Sequence, residues 1–210
     1  MLPFVALTAA ATAALLLAER SGWRPGVWVA KPLASAGFVA AAIAGGAPAS
    51  GYGSWLLAGL LLAALGDVLL IPRGAQATFL AGLVSFLLGH VAYAIAFAVR
   101  GLDLATSLVA ALAVLPASLL ALHAIFPHVP LRMRRPVLAY LVVISTMLVC
   151  AAGTVGHERR PAIALGAFAF YLSDLAVARE RFVAKGFANK LWGLPLYFGA
   201  QLLLASTVAP

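Results

Sequence analysis

Asp67 and Asp174 are the side chains in this sequence best suited to chemistry. Each lies in an otherwise apolar run, Asp67 in GLLLAALGDVLLI (Gly59–Ile71) and Asp174 in IALGAFAFYLSDLAVA (Ile163–Ala178). A carboxylate at membrane depth is costly unless it is paired, protonated or open to a wet cavity. Two carboxyls in one low-dielectric layer cannot readily both be charged, so one holds a proton beside an ionised neighbour. That is a general acid next to a general base. The pair would titrate as a unit, which leaves open which aspartate is the acid. The alternative is a structural ion pair with Lys31 or Lys190.

Other polar groups recur at helical spacing around this layer. Phe86, His90, Tyr93 and Phe97 share one helix face, as do Lys190, Tyr197 and Gln201, with Asn189 beside them. His90, Tyr93, Tyr197 and Gln201 are candidates for orienting water or substrate. Interhelical hydrogen bonding accounts for His90 and Tyr93 equally well. Lys31, Lys190 and Arg73 are candidates for a phosphate, against the alternative that the two lysines reach out to lipid headgroups. Arg179, Glu180 and Arg181 read as a solvated collar, and His123, His128 and His157 receive no role. Asp67, His90 and Asp174 form a chemically possible zinc set, but no HExxH or paired-histidine motif supports it, so no metal or other cofactor is expected. Cys150 is the only cysteine, which excludes disulfides within one chain.

The elements that must position these groups follow from composition. Hydrophobic residues make up 64% and charged residues 10% of 210 positions, and the mean hydropathy is +1.06. Soluble domains are roughly half apolar and a quarter charged, so the chain is an integral membrane protein with a single domain, 1–210. The fold class is all-α, a polytopic bundle of about eight transmembrane helices. The apolar segments are Leu2–Ala18, Leu33–Ala47, Ser54–Ile71, Thr78–Val99, Leu104–Ile125, Pro136–Ala152, Pro161–Ala178 and Ala188–Val208. The first has no basic residue ahead of it and is followed at once by further spans, so it reads as a span and not a signal peptide.

Charge sets the orientation. Joints one, three, five and seven hold Arg20, Arg24, Lys31, Arg73, Arg132, Arg134, Arg135, Arg179, Arg181, Lys185 and Lys190, whereas the even joints hold only Arg100, Arg159 and Arg160. The positive-inside rule makes the odd joints cytoplasmic and both termini external, which requires an even number of spans. Anionic headgroups then account for the net charge of +8, and no nucleic-acid partner is expected. Asp67 lies five residues before Pro72 and Asp174 five before Arg179, so both carboxyls sit about 7 Å in from the cytoplasmic helix ends.

The two surroundings also correspond. Aligning Asp67 with Asp174 places Gly59 on Gly166, Leu65 on Leu172 and Gly66 on Ser173, and Lys31-Pro32 echoes Arg135-Pro136. Two repeated four-helix halves related by an axis along the membrane normal would set the aspartates opposite each other.

Gly66-Asp67, FLAGLVSFLLGHVAY (Phe79–Tyr93) and GAFAFYLSDLAVARERF (Gly166–Phe182), with Lys31-Pro32-Leu33 and Tyr197-Phe198-Gly199-Ala200-Gln201, resemble the signature segments of the YhhN-like lysoplasmalogenases. The resemblance covers most of the chain; the first span and the 127–135 joint match nothing recognisable. It implies an eight-span hydrolase of the vinyl ether bond of lysoplasmalogens, releasing a fatty aldehyde and glycerophosphoethanolamine or glycerophosphocholine. It also implies catalytic roles for Asp67 and Asp174, with a lysophospholipid and membrane lipids as the partners and no protein partner. The expected location is the plasma membrane of a bacterium, the inner one if Gram-negative. The competing readings are a small proton-coupled transporter or lipid carrier, and a hydrolase of another lysolipid or ether.

Overall fold

In a lipid-facing chain the backbone has only itself to hydrogen-bond, and segments of this length and apolarity satisfy it as helices. The computed structural model describes residues 1–72, 74, 76–159 and 161–208; Arg73 and Arg160 lie outside the described residues. The helices are α1 (Leu2–Ser21), α2 (Arg24–Ala44), α3 (Gly51–Leu69), α4 (Gln76–Arg100), α5 (Leu104–Ile125), α6 (Leu131–Glu158), α7 (Ala162–Ala178) and α8 (Phe187–Ser206). No strand occurs among the described residues. The protein is a multi-pass membrane protein: seven of the helices are both long and apolar enough to cross a bilayer. The eighth, α8, has sufficient length at 20 residues but is less apolar, because it carries Asn189, Lys190 and Gln201.

Local sequence sets the ends. Pro3 and Pro25 stand in the first turns of α1 and α2, where a missing N–H costs nothing. Ser50 caps α3 by accepting from the Gly53 N–H at 3.0 Å, and Asp103 caps α5 by accepting from the Thr106 N–H at 2.7 Å. Gly22 closes α1 in the left-handed conformation, φ 71. One expected boundary is displaced. The apolar pattern starts at Leu33, whereas α2 begins at Arg24 and carries Lys31 and Pro32 inside it. Polar and aromatic residues fill its opening turns, so hydropathy underestimates the helix. Likewise α6 begins at Leu131, ahead of Pro136.

The helices α4, α3, α2, α1, α8, α7 and α6 pack in that order into a ring that closes from α6 back to α4, and α8 also reaches α2 and α3. Neighbour relations among the first four helices recur among the last four, and α8 meets α2 as α4 meets α6. Helix α5 departs from this pattern, lying outside the ring on α6, whereas its counterpart α1 is seated against α8. Small residues permit the closest approaches, as is usual between membrane helices. A Cβ on Gly89 would stand 3.2 Å from the Gly59 carbonyl oxygen, and one on Gly59 would enter the Tyr93 ring. The aligned Gly166 does the same job at the α7–α8 interface, under Leu204.

Away from the aspartates, one cation gathers several helices. Arg100 at the end of α4 donates to Glu158 Oε1 of α6 at 2.7 Å and to the Thr207 carbonyl after α8 at 2.8 Å. Its guanidinium also lies 4.4 Å from the centroid of the Tyr52 ring of α3. Four helices thus meet at one side chain, and Glu158 would be left partly buried without its counter-charge if the cation were removed. Arg100→Ala is expected to lower unfolding stability by about 2–3 kcal/mol, measured as a reduced Tm of the detergent-solubilised protein.

Candidate active site

Asp67 is placed by the C-terminal turns of α3, where Gly66 beside it makes room for the Phe86 ring of α4; a Cβ on Gly66 would lie 2.7 Å from that ring. Its carboxyl is almost fully enclosed. Asp67 Oδ2 accepts from Ser35 Oγ at 2.6 Å and from Tyr197 Oη at 2.7 Å, and Oδ1 lies 3.2 Å from Lys31 Nζ. Lys31 and Ser35 are one turn apart on α2, so a single helix face supplies both a cation and a hydroxyl. Three donors, one of them charged, surround the carboxyl. A carboxylate has the lone pairs to accept from all three.

Asp174 occupies the corresponding level of α7 with a different set of partners. Its Oδ2 accepts from Tyr140 Oη of α6 at 2.6 Å, and His90 Nε2 of α4 stands 3.6 Å away. The Asp174 side chain keeps 16% of its surface accessible against 2% for Asp67, so Asp174 is the carboxyl more open to an incoming molecule. Among the described residues no lysine or arginine pairs with it. His90 is fully buried, its Nδ1 2.7 Å from the Phe86 carbonyl oxygen, its ring 4.5 Å from Phe170 and 5.3 Å from Tyr140, centroid to centroid.

Both carboxyls line one cavity of about 520 Å³. Tyr140, Tyr197 and Lys31 share its polar wall. Leu122 and Ile125 of α5 and Ile144 of α6 line the cavity with apolar side chains, and Glu19, Lys185 and Lys190 with charged ones. The cavity therefore combines two carboxyls with apolar and charged lining side chains. An amphiphile with one chain and a polar headgroup has matching parts.

The remaining sequence candidates fall into two groups. Lys190 lines the cavity and is paired with Glu19 Oε2 at 2.6 Å. Tyr93 and Gln201 are fully buried, bonded to each other through Tyr93 Oη and Gln201 Oε1 at 2.8 Å, and do not line the cavity. Asn189 donates to Glu180 Oε2 at 2.8 Å and to the Ala184 carbonyl at 2.7 Å, closing the turn between α7 and α8. Arg73 lies outside the described residues. Among the described residues, no three His, Cys, Asp or Glu side chains gather closely enough to hold a metal ion.

Sequence reasoning missed Ser35, Tyr140 and Glu19. A signal for the first two was present in the echo of Lys31-Pro32 by Arg135-Pro136. Carried four to five residues onward, that echo puts Ser35 of α2 beside the Asp67 helix and Tyr140 of α6 beside the Asp174 helix, each as the hydroxyl donor to its aspartate.

Comparison with known proteins places this site in context. The model of the YhhN family matches residues 26–208. The chain is also similar to the lysoplasmalogenase TMEM86B of Sus scrofa, with 31% identity over 172 residues that cover 82% of this chain and 69% of that protein. No solved structure matches.

Proposed function

The chain belongs to the YhhN family, and from that premise we propose that it is a lysoplasmalogenase, hydrolysing the vinyl ether bond of a lysoplasmalogen by acid–base catalysis between Asp67 and Asp174. The observation that carries this reading is the placement of both carboxyls in one cavity that also carries apolar lining suited to a hydrocarbon chain. The name of the pig relative supports the same reaction.

The chemistry closes with these two groups and water. The protonated carboxyl gives its proton to the vinyl carbon remote from oxygen, forming a C–H bond and leaving an oxocarbenium ion. The ionised carboxylate steadies that cation and takes a proton from water as the water oxygen attacks. The resulting hemiacetal collapses when the second carboxyl returns its proton to the glycerol oxygen and the hemiacetal hydroxyl reprotonates the first. Aldehyde and glycerophospho-headgroup leave, and both carboxyls regain their starting states. Acid–base assistance of this kind contributes about 10²–10⁴-fold.

The lysolipid enters with its chain along the apolar lining and its phosphate near Lys190, which would exchange its Glu19 partner for the phosphate, so that the ether oxygen comes to rest between the carboxyls. Lys31 is engaged by Asp67 and serves the carboxylate in place of the phosphate. The basic joints face the cytoplasm of a bacterial cell, with both termini outside. Incubating the purified protein with an ethanolamine lysoplasmalogen is expected to release free fatty aldehyde, read by a coupled aldehyde dehydrogenase. A transporter, or a hydrolase specific for acyl esters, would release none.

A further inference from the structure

We infer that Asp174, not Asp67, is the proton donor of the pair, and that His90 is the positioning residue that keeps Asp174 loaded; this rests on the acid–base reading above. The Phe86 carbonyl can only accept, so at 2.7 Å His90 Nδ1 must carry the hydrogen. A neutral His90 then presents a bare lone pair at Nε2. That nitrogen is fully buried, has no hydrogen-bond partner among the described residues and stands 3.6 Å from Asp174 Oδ2.

A lone pair facing an ionised carboxylate is repulsive and leaves a buried acceptor unsatisfied. One proton between the two groups removes both penalties. Tyr140 already donates to Asp174 Oδ2, which does not supply that proton, because its hydrogen points at the carboxyl and not at His90. The titratable groups around His90 are Asp174 on α7, Tyr140 on α6 and Tyr93 on its own helix. On α3, Asp67 is already turned to Lys31, Ser35 and Tyr197. Among the described residues no other side chain donates to Nε2, so the proton between the two groups is the one that Asp174 brings.

The asymmetry between the halves points the same way. Each half brings a hydroxyl to its aspartate, Ser35 to Asp67 and Tyr140 to Asp174. Only the first half adds a cation, since Lys31 contacts Asp67 whereas its aligned counterpart Arg135 is exposed. A lysine on one carboxyl and a lone pair on the other divide one proton between two aspartates without ambiguity. The loaded carboxyl is also the more accessible one, as the donor to an incoming vinyl carbon must be.

The test is the infrared C=O stretching band of a protonated carboxylic acid, recorded on the purified protein at neutral pH, together with kcat. Wild type and Asp67→Asn are expected to show the band, and Asp174→Asn to lack it. His90→Asn keeps a donor for the Phe86 carbonyl but no acceptor toward Asp174. It should lose most of the band and about 10²-fold in kcat, whereas His90→Gln, whose amide oxygen takes the place of Nε2, should recover about tenfold of that loss. A band that vanishes in Asp67→Asn and persists in Asp174→Asn would overturn the assignment. So would a His90→Asn protein indistinguishable from wild type in band and rate. An inactive wild type that still carries the Asp174 band would sink the lysoplasmalogenase reading and leave the proton on Asp174.

Discussion

Replacing either aspartate by asparagine is expected to lower kcat for aldehyde release by about 10²–10⁴-fold, with the double variant no slower than the slower single one. Asparagine keeps the shape and one accepting oxygen, so Ser35 and Tyr197 retain a partner at position 67 and Tyr140 at position 174. What each variant loses is the capacity to carry and release a proton. Because the acid and the base act in one cycle, removing the first stops the cycle and removing the second adds little. Steady-state rates of the two single variants and the double variant, with circular dichroism and gel filtration on each, check this. A purely structural role for the carboxyls predicts the opposite pattern, loss of folded protein with normal specific activity in whatever remains.

Much of this fold was open to a reader of the sequence, because bilayer physics couples composition to structure tightly. Apolar length predicts helices, and α5 was placed with both its ends correct. The charge asymmetry of the joints and the depth of Asp67 and Asp174 put the two carboxyls in one layer, and both line one cavity. Partner choice was harder to read. Hydropathy treats Lys31 as part of a joint, whereas it lies within α2 and turns inward. Tyr140 stands in an apolar stretch whose one polar atom is invisible to periodicity, and only the repeat could have drawn attention to it. Tyr93 and Gln201 share helix faces with site residues yet bond to each other away from the cavity lining. A helix face spans several turns, and spacing alone does not say at which turn a cavity ends.

Lys31→Met provides the sharpest test of how Asp67 is kept ionised. Lys31 Nζ lies 3.2 Å from Asp67 Oδ1, and the carboxyl's side chain is only 2% accessible, so solvent compensates poorly for the lost cation. Breaking one side of a buried ion pair costs about 3–5 kcal/mol, most of it the penalty on the charge left behind. Asp67 escapes that penalty by taking up a proton, and a protonated Asp67 can neither steady an oxocarbenium ion nor accept from water. The single variant is therefore expected to be both less stable and, where folded, about as slow as Asp67→Asn. Adding Asp67→Asn to it removes the orphaned charge and should restore most of the stability while restoring none of the activity. Denaturation of the four proteins of this cycle in detergent, with aldehyde release measured on each, separates the two effects. If Lys31 instead reached out to lipid headgroups, the single variant would lose little stability and the cycle would show no coupling.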